Sequence, residues 1–164
     1  MSSEGAGSTR EARPEDVDNI VRVVNAAYAV ERFFVNTDRT YRDEVLGFFE
    51  SGRFFVSEEA DGTVSGAVFL RDEGAEGYFG LLAVAPEHQG HGVGRRLVAY
   101  AEEVFREMGC ARVRIVVPNL RTELFPWYEA LGYQERATLS FPEPEKLTQD
   151  AHMVELVKEL RDLP

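Results

Sequence analysis

"APEHQGHGVGRRL", residues 85–97, sets Gly90, Gly92 and Gly94 at alternate positions between an apolar run and an amphipathic one. A strand that stops, a glycine turn and a helix N-terminus together make an anion site. The first helical turn has unpaired N–H groups and a partial positive charge. Glycines let the backbone approach an anion closely and adopt positive φ. Gly90, Gly92 and Gly94 therefore read as a wrap for a phosphate, with Arg95 and Arg96 adding charge. The P-loop pattern needs Lys-Ser/Thr after its last glycine, where this chain has Arg95-Arg96. The dinucleotide pattern needs a two-residue gap before its third glycine, which these three do not give.

Working outward, "EGYFGLLAVAP" (76–86) reads as an apolar strand closed by Pro86. After the loop, Leu97, Val98, Ala101, Val104, Phe105 and Met108 fall on one helical face that stops at Gly109. Upstream, "RFFVSEEA" (53–60) and "TVSGAVFLR" (63–71) flank Asp61-Gly62 and read as a hairpin. Before that, Pro14 opens a helix with Val17, Ile20, Val21, Val24, Ala27 and Tyr28 on its apolar face. Asp38 is expected to cap a second helix that ends at Gly52. "TREA" (9–12) reads as a short strand, and residues 1–8 as a flexible tail.

Downstream, "ARVRIVV" (111–117), "YQERATLSF" (133–141) and "AHMVELVKEL" (151–160) read as strands. "TELFPWYEALG" (122–132) reads as a short helix with Pro126 awkwardly near its start, and 142–150 as a loop. The order predicts one α/β (α+β) domain over 9–164, a mixed, largely antiparallel sheet flanked by helices.

Composition narrows the function. At 44% apolar residues the chain can bury a sizeable core. The net charge of −11 argues against a nucleic-acid partner and would suit a cationic substrate, or simply solubility. No apolar run reaches about 18 residues, so no membrane partner is expected. The start lacks a secretion signal, and one cysteine, Cys110, allows no internal disulfide. These features point to the cytoplasm. His88 and His91 lack a third ligand and read as loop residues, so no metal is expected.

Gln89-x-x-Gly92-x-Gly94, set between Ala85-Pro86 and an amphipathic helix, resembles the signature of the GNAT family of N-acetyltransferases. A second stretch, "VVPNLRTELFPWYEALGY" (116–133), resembles that family's Asn followed by a helix ending in Tyr-Glu-x-Leu-Gly-Tyr. The resemblance covers about residues 8–160, since the element order also fits. It implies acetyl-CoA as cosubstrate and a small-molecule or peptide amine as acceptor, attacked directly in a ternary complex. It implies cofactor-binding roles for the backbone of Leu82, Ala83 and Val84, for Gln89, Gly90, His91, Gly92, Val93, Gly94 and Arg95, and for Asn119. Strands around the fourth–fifth pair would splay to admit the pantetheine arm.

Tyr128 inherits the family's catalytic tyrosine, which protonates the departing thiolate. Asn119 and Tyr128 lie nine positions apart, two more than is usual, with Pro126 between them. Trp127 reads as core, while Arg121 fits either a substrate contact or a solvated surface. The amine also needs a base, for which Glu31, Glu73, Glu76 and Glu87 stand equal. The alternative is a catalytically silent acyl-CoA-binding sensor or interaction module. The family resemblance leaves homodimerisation open, and no motif selects one amine.

Overall fold

The computed structural model describes residues 7–160. Of the expected tail, positions 1–6 lie outside the described residues, whereas Ser8 already pairs with Glu58. Seven strands form one sheet: β1 (Ser8–Glu11), β2 (Arg53–Glu58), β3 (Val64–Asp72), β4 (Glu76–Val84), β5 (Arg112–Pro118), β6 (Gln134–Ser140) and β7 (His152–Glu159). Their order is β1-β2-β3-β4-β5-β7-β6. Only the β4–β5 pair is parallel, because a helical crossover rather than a hairpin joins those strands. The fold is the mixed, largely antiparallel sheet flanked by helices that the sequence predicts.

Four helices cover the two faces: α1 (Val17–Ala27), α2 (Arg42–Ser51), α3 (Val93–Glu107) and α4 (Leu124–Ala130). On one face Val17, Ile20, Val23 and Val24 of α1 pack with Val45 of α2 against Phe54, Val56 and Phe69. On the other, Leu97, Val98, Ala101 and Phe105 of α3 pack against Phe55, Phe79, Val113 and Ile115. With both faces covered, β3 is buried from Val64 through Leu70. Strand β6 forms the edge and is almost wholly exposed.

One local expectation is extended and two are corrected. Val23 joins the fully buried face of α1, beside which Val21 packs half-buried. Helix α2 starts after Tyr41, not at Asp38. Thr40 is held against α1, its N–H donating to Asn25 Oδ1 at 2.9 Å, so the chain turns into a helix only beyond it. Asp38 pairs instead with Arg32. Met108 lies past the end of α3 and is exposed. Gly109, at φ 84°, ends that helix, with the Cys110 N–H donating back to Phe105 O at 3.0 Å.

Candidate active site

The sheet opens where β4 meets β5. These strands pair only through Glu76–Tyr78 and Arg112–Arg114. Beyond Tyr78, β4 turns away. Two steps along β3, from Phe69 to Ala67, face three along β4, from Gly80 to Ala83. That extra residue is a bulge, and Leu81 sits in it at φ 54°. The consequence is visible in the packing. Phe79 and Leu81 are two residues apart, which in an unbroken strand puts both on one face. They instead lie in opposite cores.

The bulge also decides which backbone groups face the gap. The Ala85 N–H donates to Ser65 O of the β2–β3 hairpin at 2.8 Å. Alternation along the strand then turns Ala83 toward β3, where it pairs with Ala67, and turns Leu82 and Val84 toward the gap. The Val84 carbonyl accepts from Gln89 Nε2 at 3.0 Å. Ala83 therefore spends its backbone on the sheet, and Leu82 and Val84 carry the groups left over.

The glycine loop follows directly. Gly90 and Gly92 have φ of 84° and 83°. A Cβ at either would meet nothing within 4 Å, so backbone conformation rather than crowding requires glycine. Gly92 is the N-cap of α3 and, having no side chain, leaves the first turn uncapped. The first intrahelical bond is Arg96 N–H to Gly92 O at 3.0 Å. The N–H groups of Val93, Gly94 and Arg95 thus remain for an anion.

A cleft of about 630 Å³ runs along this feature. Leu82, Ala83, Val84, Gln89, Gly90, Gly92, Val93, Gly94 and Arg95 line one side. His91 does not line it and is exposed. Asn119 does not line it either, because it extends the sheet: its N–H donates to His152 O at 2.9 Å and its Oδ1 accepts the His152 N–H at 2.8 Å. The other wall was not legible from spacing. It consists of Ala27, Tyr28, Val30, Arg121, Glu123, Leu124, Trp127 and Tyr128. Trp127, expected in the core, lies across the cleft, 3.5 Å from where a Gly94 Cβ would stand.

Helix α4 delivers Tyr128. It starts at Leu124, so Pro126 falls in the first turn, where its missing N–H costs nothing. The long spacing after Asn119 is taken up by turns in which the Arg121 N–H donates to Pro118 O at 3.1 Å and the Leu124 N–H to Arg121 O at 3.0 Å. They aim Arg121 inward. Its guanidinium meets Glu31 at 2.8 Å and Glu123 at 2.7 Å.

A second cavity of about 400 Å³ adjoins the first. The two share Tyr28, Arg121, Leu124 and Tyr128. Glu31 lines the second cavity and is buried. Burial pushes its carboxyl above the usual range, and the Arg121 guanidinium only partly offsets that. Burial likewise pushes the Tyr28 phenol up to about 12 and raises that of Tyr128 further. The rival carboxylates are engaged elsewhere. Glu73 pairs with Arg71 and Arg114, Glu76 with Arg112 and Arg136, and Glu87 is exposed. Cys110 is buried away from both cavities, its thiol raised by burial. Among the described residues no His, Cys, Asp and Glu cluster suits a metal, and no helix is long and apolar enough to cross a membrane.

Known proteins share this architecture. The ribosomal-protein-S18-alanine N-acetyltransferase of Escherichia coli superposes with a TM-score of 0.79 at 15% identity, covering 96% of each chain. An acetyltransferase of Salmonella typhimurium, whose structure contains its cofactor acetyl-CoA, gives 0.73 at 20% identity over 96% of each chain. A spermidine N-acetyltransferase chimera from Vibrio cholerae gives 0.73 at 20% identity over 94% of this chain and 96% of that one. At such identities the likeness speaks for the fold. The sequence match goes further: the Acetyltransferase (GNAT) family model spans residues 22–133, from within α1 through the glycine loop to the "YEALGY" stretch. The chain belongs to the GNAT acetyltransferase family.

Proposed function

We propose that the protein is a single-domain N-acetyltransferase of the cytoplasm that passes an acetyl group from acetyl-CoA to a primary amine by direct attack. One observation carries this reading. Two cavities of different character meet at a shared wall of Tyr28, Arg121, Leu124 and Tyr128. Holding both reactants at such a junction replaces an encounter with a positioned attack.

The residues present fit acetyl-CoA. The free N–H groups of Val93, Gly94 and Arg95 suit a diphosphate, with the Arg95 side chain beside them. Leu82 and Val84 offer the backbone groups that amides of an extended arm need. Leu124 and Trp127 supply the apolar side. When bound, acetyl-CoA supplies an activated acyl group whose thiol leaves with a pKa of about 8.5.

The acceptor amine arrives protonated at neutral pH and must lose that proton. Glu31 takes it, directly or through water, because its raised carboxyl is a better base than a surface glutamate. An N–H at the bulge, from Leu82 or Val84, polarises the carbonyl oxygen as it gains charge. Tyr128 gives its proton to the departing sulfur as the C–S bond breaks, and regains one from the acceptor nitrogen as the amide forms. Its raised pKa keeps the phenol protonated across the working range, ready to donate.

The first test is a thermal melt with acetyl-CoA, CoA, ATP and NAD. At 100 times its dissociation constant a ligand adds roughly 2.7 kcal/mol. Both CoA species should raise the melting temperature, and neither ATP nor NAD should. Thiol release with an amine then separates transfer from silent binding. No shift with CoA would sink the reading.

Gly92→Val probes the loop. Forcing a residue with a Cβ into left-handed backbone costs about 1–2 kcal/mol, and a β-branched one fits it worst. The expected outcome is a melting temperature lower by several degrees and acetyl-CoA binding weakened at least about tenfold, read by calorimetry. Intact binding would show that the loop geometry is not used.

A further inference from the structure

The acceptor cavity contradicts the charge of the whole chain. The net charge is −11, yet the cavity wall carries Arg39, Arg71, Arg114, Arg121 and Lys146 against Glu31, Asp38 and Glu143. Most of these charges are matched. Arg121 holds Glu31 and Glu123, Arg71 and Arg114 share Glu73, Lys146 holds Glu143, and Asp38 holds Arg32. Arg39 is the exception: among the described residues it makes no ion pair. Its guanidinium instead lies 5.4 Å over the ring of Tyr28, the residue that borders both cavities. It is close enough to Glu31 to pull that carboxyl downward. The Glu31 carboxylate and the exposed Arg39 guanidinium thus line one cavity together with that ring.

Two loops that contribute to the cavity wall are tied together. The segment before α2 is tied to the β6–β7 loop by Asn36 N–H to Lys146 O at 3.1 Å, Thr148 N–H to Phe34 O at 2.9 Å and Gln149 Nε2 to Phe33 O at 3.0 Å. At about 400 Å³ the space suits a small molecule rather than a length of folded chain. Its remaining wall includes Val35, Leu139, Phe141 and Met153, which are apolar.

On the acetyl-transfer reading above, we propose that the acceptor is an amino acid with an apolar side chain, its ammonium directed to Glu31 and its carboxylate held by Arg39. A zwitterion fits because each of its charges meets the opposite one. A purely cationic amine would bring its charge into a wall already rich in cations. A guanidinium–carboxylate contact is planar and charge-assisted, so it discriminates between an acid and its amide.

The experiment measures thiol release from acetyl-CoA with L-methionine and L-phenylalanine, each beside its amide and its decarboxylated amine, with rates referred to the free amine. The acid should exceed its amide in kcat/KM by about tenfold to a hundredfold, the scale of one hydrogen bond to a charged group. Arg39→Ala should bring that ratio to within about twofold, and Arg39→Lys should keep part of it. Equal use of acid and amide, a preference for the decarboxylated amine, or an unchanged ratio in Arg39→Ala would each overturn the proposal while leaving acetyl transfer intact. Failure of every one of these amines to release thiol, with acetyl-CoA still raising the melting temperature, would overturn the acceptor assignment; failure of acetyl-CoA to bind would remove the transfer reading itself.

Discussion

Replacing Tyr128 by Phe should lower kcat about 100-fold while leaving the KM for acetyl-CoA within about threefold, the lower range for loss of a general acid. The ring would stay packed. Its contacts with Trp127 at 4.9 Å, Tyr133 at 5.6 Å and Phe79 at 6.4 Å between centroids do not involve the hydroxyl. Stability should therefore change by no more than about 1 kcal/mol, the net worth of one neutral hydrogen bond. The decisive readout sets rate against stability. Burial raises the Tyr128 phenol, which stays protonated up to about pH 9.5, so the deficit should hold across about pH 7 to 9.5. A deficit matched by a lower melting temperature would assign Tyr128 to packing alone.

Arg121→Ala should cost the most stability. Arg121 and Glu31 are 13% and 9% exposed at their side chains, and removing one partner strands the other charge. Breaking such a pair costs about 3–5 kcal/mol, roughly 10 °C in a chain of this length. The loss should depend on pH in a fixed direction. Glu31 already has a folded pKa above its ordinary value, so its contribution is fully present below the unfolded pKa and fades as pH rises through the folded one. Arg121 lowers the Glu31 pKa, so its removal raises it further. Urea unfolding should then show a larger loss at pH 8 than at pH 5. The acidic limb of kcat/KM should move to higher pH in the same variant, because Glu31 would hold its proton longer. Equal losses at both pH values would mean that the guanidinium contributes packing, and an unmoved limb would mean that Glu31 is not the base.

These expectations differ in how far the sequence alone could have reached them. The glycine loop was readable because its signal is local. Gly90 and Gly92 adopt left-handed backbone, which few other residues tolerate, and the uncapped main-chain N–H groups of the first turn follow from the strand–loop–helix order. Tyr128 was readable through the "YEALGY" stretch. Glu31 was legible only as one of four carboxylates. What separates it is burial and the Arg121 contact across 90 positions of sequence. Arg121 itself could be read equally as solvated. The turns after Pro118 aim it inward, and turn direction is not encoded in residue type. Trp127 packs against the core as an aromatic on a short helix is expected to, and that it also lines the cleft could be seen only once the opposite wall was known. Asn119 carries the right residue type, but beside the β5–β7 pairing its N–H and Oδ1 engage His152, and it does not line the cleft.

The sequence by itself determined the order of strands and helices, because apolar periodicity and glycine or proline stops act within a few residues of one another. It also determined the left-handed glycine loop before α3 and the tyrosine on the short helix. Only the tertiary structure decided where the sheet splits, since the bulge at Leu81 depends on register with β3 and on β5 pairing with β7. Only it decided that Ala83 faces the sheet while Leu82 and Val84 face the gap. The charged cavity beside the cleft was decided there too. Its Glu31, Arg39, Arg114, Arg121 and Lys146 come from segments far apart in the chain, and the packing of the whole sheet brings their charges together in one small space.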